Sequence, residues 1–198
     1  FDVLGIGNAI VDILAKVDDD FLDAHAITKG AMQLIDEDQA TKLYADMTAG
    51  VEISGGSAAN TIAGIALLGG TPAFIGKVRN DQLGEVFTHD IRASGVSFDT
   101  APATEGPATA RCLVLVTPDG ERTLNTFLGA SVGLMPQDID ADKITAAKVV
   151  YLEGYLWDPP QAKEAFVRAA AIARDAGRQV ALTLSDAFCV DRHRDSFL

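Results

Sequence analysis

Residues Ser54-Gly55-Gly56-Ser57-Ala58-Ala59-Asn60 have types and a spacing that could hold a polar ligand: a glycine pair opens a helix of small and aliphatic residues, and one Asn stands in its first turn. Glycine tolerates positive φ and close approach of another group, and the first N–H groups of a helix have no internal partner. The stretch is not a G-x-x-x-x-G-K-[ST] phosphate loop, because no Lys follows the glycines, and it is not G-x-G-x-x-G. On the glycines alone, an ordinary loop-to-helix turn accounts for it. Asn60 shifts that balance, since Asn is a poor interior helix residue and is costly to bury without partners.

Other polar residues stand where an α/β fold would bring a ligand. Residues 1–7 read as a short buried strand with Asn8 and Asp12 following at its end, and ligands of open α/β sheets sit outside the carboxyl ends of parallel strands. Asp12 capping a turn is an equal alternative. Tyr155 follows the apolar run 148–152, where it could stack on a base or simply form a half-buried rim. Lys77 and Arg79 are scarce cations that could meet a phosphate or lie in an exposed loop. His25 and His193 lack partners at metal-ligand spacing and are expected at the surface. Cys112 and Cys189 are far apart, which excludes a CxxC motif or a disulfide framework.

The elements that must position these groups are legible from periodicity. A helix over 36–47 places Leu43 and Met47 on one face, with Asp36 or Asp38 as its cap. A second, from about 82–94, turns Leu83, Val86, Phe87 and Ile91 inward. Pro118-Asp119-Gly120 joins 109–116 to 122–128 as a hairpin. The run 148–184 reads as strand, helix, strand, with Asp158 as the helix cap ahead of two prolines and Ala162, Phe166, Ala169 and Ala173 on one face; such a unit makes a parallel sheet. Short strands near 12–17 and 31–35 suggest a smaller sheet beside the main one, able to act as a lid. With 198 residues, 48% hydrophobic and 22% charged, one main domain is expected. The net charge of −12 argues against nucleic acid and anionic membranes as partners, and no apolar run is long enough for a membrane span.

The Gly55-Gly56-x-x-x-Asn60 core resembles the N-terminal signature of the PfkB, or ribokinase-like, carbohydrate kinase family. The first strand of that family also ends in Asn and Asp, and residues 77–84 resemble its next loop. Residues 17–23 and Gln33-Leu34-Ile35 look like the adenosine kinase branch in particular. The resemblance implies an α/β, ribokinase-like fold: a mainly parallel central sheet flanked by helices, with a small β-sheet lid. It implies a single incomplete domain over 1–198, with lid strands from about 12–17, 31–35 and 109–128. Asp12 matches the position that holds hydroxyls of the acceptor sugar, and Asn8 stands with it. Gly55, Gly56, Ser57 and Asn60 would fix the acceptor; Gln33 and Ile35 would lie near the nucleoside; Leu124 and Thr126 would wall the base pocket. Ser131 stands where many family members have Asn.

The activity so implied is transfer of the γ-phosphate of ATP, with Mg2+, to a hydroxymethyl group of a ribonucleoside, adenosine favoured. A sugar kinase acting on ribose, fructose or a sugar acid is the alternative, and a non-catalytic sugar- or nucleoside-binding protein is the alternative of another class. The family's Asp-Thr-x-Gly-Ala-Gly-Asp loop, which carries the catalytic base, and its Asn-x-x-Glu segment do not occur in residues 1–198. The chain is therefore expected to be the acceptor-binding part of a longer kinase, with no catalytic residue of its own and its ATP-binding residues unassigned. A cytoplasmic location is expected, as a monomer or a lid-mediated homodimer.

Overall fold

The computed structural model describes residues 1–197. Strands β1 (Val3–Ile6), β2 (Ile10–Lys16), β3 (Met32–Leu34), β4 (Val51–Gly55), β5 (Pro72–Ile75), β6 (Ala110–Val116), β7 (Arg122–Phe127), β8 (Val149–Glu153) and β9 (Gln179–Thr183) form two sheets. The first has the order β5-β1-β8-β9 and is parallel throughout. Its two central strands carry continuous apolar runs, as strands covered on both faces must. The register aligns Ile6 with Ile75 and Leu152, so the segments after these residues emerge side by side at one edge.

The second sheet has the order β3-β7-β6-β2-β4. β6 and β7 form the expected antiparallel hairpin, while β2 runs parallel to β6 and antiparallel to β4. Val51, Glu52 and Ile53, which lead into the glycine turn, belong to β4, a strand that the local sequence does not mark. Five residues with exposed apolar positions give little local signal, and it is pairing with β2 across the intervening residues 17–50 that makes them a strand. Asp12 consequently lies inside β2, in the second sheet, rather than at the end of the first strand.

The helices are α1 (Asp19–Ala24), α2 (Glu37–Asp46), α3 (Ser57–Leu67), α4 (Gln82–Ala93), α5 (Ala141–Ala146), α6 (Pro160–Asp175) and α7 (Ala187–Phe197). Acidic residues cap five of them, Asp186 serving α7 through the Cys189 N–H. Asp18, Asp36, Asp81 and Asp140 each accept from backbone N–H groups of the first turn, where the helix dipole also favours negative charge. Asp36, not Asp38, caps α2, in a reciprocal box with Gln39. At α6 the expected cap is corrected: the N-cap is Pro159, with Pro160 at N1, and Asp158 stands one residue too early. Asp158 pairs instead with Arg192 and His193 of α7, so the His193 side chain is mostly covered rather than exposed.

Two apolar clusters hold these layers. Val11 and Ile13 of β2 and Leu113 and Leu115 of β6 pack with Ile62 of α3, Phe74 of β5 and Phe87 of α4. The Phe74, Phe87 and Phe98 rings lie 5.2–6.2 Å apart and join the two sheets through α4. On the other side of the first sheet, Leu4 and Ile6 of β1, with Val150 and Leu152 of β8, pack on the small-residue face of α6, where Ala162, Phe166, Ala169 and Ala173 are buried as their spacing predicts. No helix among the described residues is long and apolar enough to cross a membrane.

Candidate acceptor site

Alternation along β2 sends Val11, Ile13 and Ala15 into the core and leaves Ile10, Asp12 and Leu14 half-buried on the opposite face. The register puts Asp12 in a row with Ile53, Cys112, Thr126 and Leu34, and puts Leu14 in the next row with Val51, Val114, Leu124 and Met32. Asp12, Leu124 and Thr126, which stand far apart in sequence, therefore share one face. The Asp12 carboxylate lies over Gly55, in the space a Cβ would occupy. It makes no hydrogen bond to the described residues, and burial, partly opposed by Arg122, pushes its pKa up to about 6. Beside it the Thr126 hydroxyl donates to Cys112 Sγ at 3.3 Å, and burial pushes the Cys112 thiol up to about 11, so this cysteine is an uncharged wall of the site.

Gly55 ends β4 and Gly56 is the N-cap of α3, with φ 102°. A side chain there would be strained and would also strike the Asn8 carbonyl, so the turn requires glycine on two counts. Not all of its donors face outward. The Ala58 N–H donates 2.9 Å to Glu153 Oε2, and the Asn60 N–H donates to the Gly56 carbonyl. The Ser57 and Asn60 side chains are exposed on the first turn, so the burial argument for Asn60 does not hold in this structure.

Asn8 is fully buried behind the turn. Its Nδ2 donates 2.8 Å to Glu153 Oε1, its own N–H reaches the same oxygen at 3.4 Å, and its Oδ1 accepts from Ser131 Oγ at 2.8 Å. Burial pushes the Glu153 carboxyl up, against the Ala58 and Asn8 donors that favour its charge. Neither Glu153 nor the contact of Ser131 with Asn8 was read from the sequence. The available signal was a single Glu closing the apolar run Val149-Val150-Tyr151-Leu152.

The profile of the pfkB family carbohydrate kinases matches residues 26–195. The chain belongs to the pfkB family. It is 56% identical to a probable sugar kinase from Rhizobium etli, with a TM-score of 0.91, and 58% identical to an adenosine kinase from Sinorhizobium meliloti, with a TM-score of 0.90. Both comparisons cover 100% of this chain and 60% of the other. It is 33% identical to the probable fructokinase-6, chloroplastic, of Arabidopsis thaliana over 135 residues, 67% of this chain and 35% of that one. The pfkB chain thus spans less than two thirds of the relatives it matches.

The remaining expected residues of this pfkB chain fall elsewhere. Gln33 aligns with Asn125, on the face opposite Asp12, and its Nε2 donates to Asn125 Oδ1 at 2.6 Å. Ile35 lies just past β3, its N–H on the Thr126 carbonyl. Tyr155 is in the short 3-10 turn after β8, half-buried, its N–H on Ser185 Oγ and its phenol pushed up to about 12 by burial and by Asp186. Lys77 and Arg79 have internal partners: Lys77 Nζ donates 2.7 Å to Asp138 in a largely buried pair, and the Arg79 guanidinium donates to the Gly106 carbonyl. No group of three or more His, Cys, Asp or Glu side chains among the described residues is gathered as for a metal ion.

Proposed function

We propose that this pfkB chain supplies the acceptor-binding part of an ATP-dependent kinase that phosphorylates the hydroxymethyl group of a ribonucleoside, with adenosine favoured. The observation that carries it is the Asp12 carboxylate: half-buried, without an internal partner, and set over Gly55 on a face it shares with Leu124 and Thr126. An ionised carboxylate so placed accepts hydrogen bonds from two neighbouring sugar hydroxyls, while Gly55, Gly56, Ser57 and Asn60 close the other side of the acceptor. Leu14, Val114 and Leu124 give the adjoining row an apolar surface, which suits a purine better than a second polar sugar ring.

ATP is the phosphoryl donor that the family implies. This chain's own contribution is orientation: holding the acceptor oxygen in one place removes most of the entropy from the reaction. The second sheet acts as a lid, and its closure excludes water that would otherwise take the phosphoryl group. A sugar kinase is the second reading, favoured by the 56% identity to a probable sugar kinase and by the fructokinase relative.

Phosphotransfer from ATP and magnesium to adenosine, ribose and fructose, by the full-length protein that carries this chain, tests both. Adenosine is expected to be the preferred acceptor, and Asp12→Ala is expected to lose acceptor binding while keeping its fold. Preference for fructose would establish the second reading, and acceptor binding without turnover would make the protein a binder. Unchanged affinity in Asp12→Ala would remove Asp12 from the site.

A further inference from the structure

Glu153 is the one charged side chain that is buried among the described residues, at 1% exposure. A carboxylate taken from water into an apolar interior is unfavourable unless donors satisfy it, so its retention needs a reason beyond packing. Its two oxygens hold different segments: Oε1 takes Asn8 from the end of β1, and Oε2 takes the Ala58 N–H from the first turn of α3. Gly7 leaves the room it needs, since a Cβ there would meet Glu153 Oε2. Ser131 fixes Asn8 from the far side, so that the Asn8 amide nitrogen, not its oxygen, faces the carboxylate.

We infer that Glu153 is a positioning residue for acceptor recognition, an internal anion that clamps the first turn of α3 to the edge of the parallel sheet. It acts through Gly56, Ser57 and Ala58 and touches no acceptor itself. This rests on the reading of the glycine turn as the acceptor site. The chemistry demands a carboxylate, because both oxygens must accept. Gln in the same shape would turn an N–H toward either Asn8 Nδ2 or the Ala58 N–H, and one donor would face another. With the turn released, the N–H groups that α3 still offers lose their fixed direction toward the face of Asp12.

The test is Glu153→Gln in the full-length protein that carries this chain, read by adenosine and fructose affinity, hydrogen exchange of the Ala58 amide, and the denaturation midpoint. Acceptor affinity is expected to fall about tenfold or more, with Ala58 exchange accelerated and the fold retained. Ser131→Ala, which removes the hydroxyl from Asn8 and from the Leu128 carbonyl but leaves the Glu153 carboxylate in place, is the milder variant should Glu153→Gln not fold; it is expected to lower the midpoint modestly and to weaken acceptor binding by about two- to fivefold under conditions where it remains folded. Undiminished acceptor affinity alongside faster Ala58 exchange would make Glu153 merely structural and overturn the inference. A wild-type protein that binds neither probe would remove the acceptor reading itself and the positioning role with it, an outcome distinct from binding that Glu153→Gln leaves unchanged.

Discussion

Asp12 and Glu153 are two carboxylates that burial treats alike and hydrogen bonding treats differently. Glu153 has three donors, whereas Asp12 has none among the described residues and stands ready for a ligand's hydroxyls. The sign of its linkage to stability follows. The folded pKa of Asp12 is raised above its ordinary value, so folding takes up a proton between about pH 4 and 6, and stability is lost as pH rises through that window. Asp12→Asn is therefore expected to stabilise the protein by on the order of 1–3 kcal/mol at pH 7–8, with the gain vanishing near pH 4, in urea titrations across pH. Acceptor affinity in the wild type should move the other way and weaken as pH falls through 6, where Asp12 ceases to be an acceptor on both oxygens. A residue that makes the empty fold less stable at working pH fits a role in binding.

At the scale of elements, the glycine turn couples β4 to α3 and carries the highest constraint in the site. Gly56→Ala places a methyl group at φ 102° against the Asn8 carbonyl. It is expected to destabilise by about 2–4 kcal/mol in denaturant unfolding and to weaken acceptor binding through the same displacement. A loss below about 0.5 kcal/mol would mean that the turn adapts freely. The glycine turn and the α2 cap were legible from the local sequence, because a glycine pair and an N-cap acid act through their immediate neighbours. The strand identity of β4 was not, since the one strand it pairs with is the distant β2. Asp158 shows the same limit: its sequence neighbours are those of a cap, yet Arg192 and His193, 34 and 35 residues away, hold it elsewhere.

At the scale of the molecule, the two sheets meet through α4. Its Asp90 accepts the Ser54 N–H of β4 at 2.6 Å, and its Phe87 packs between Phe74 of the first sheet and Phe98. Phe87→Ala should cost about 3–5 kcal/mol in urea unfolding, the usual range for a buried aromatic replaced by a cavity. Because the cluster also sets the second sheet over the first, the same variant is expected to lower acceptor affinity at temperatures where it remains folded. Affinity unchanged at full folding would show that the sheets keep their relation without it.

Sequence by itself determined the parallel α/β unit of β8, α6 and β9, the hairpin, the α2 cap at one of two neighbouring acids, and the helix that opens at the glycine pair. Each depends on periodicity or on contacts within a few residues, which the order of amino acids states directly. Only the tertiary structure decided that Asp12 sits inside a second-sheet strand, that Gln33 falls on the opposite face, and that Asn8 and Ala58 converge on Glu153. Those outcomes depend on strand register and on which segment ends meet at the sheet edge. A shift of one residue in register would reverse every face assignment, and nothing in a local stretch of chain specifies it.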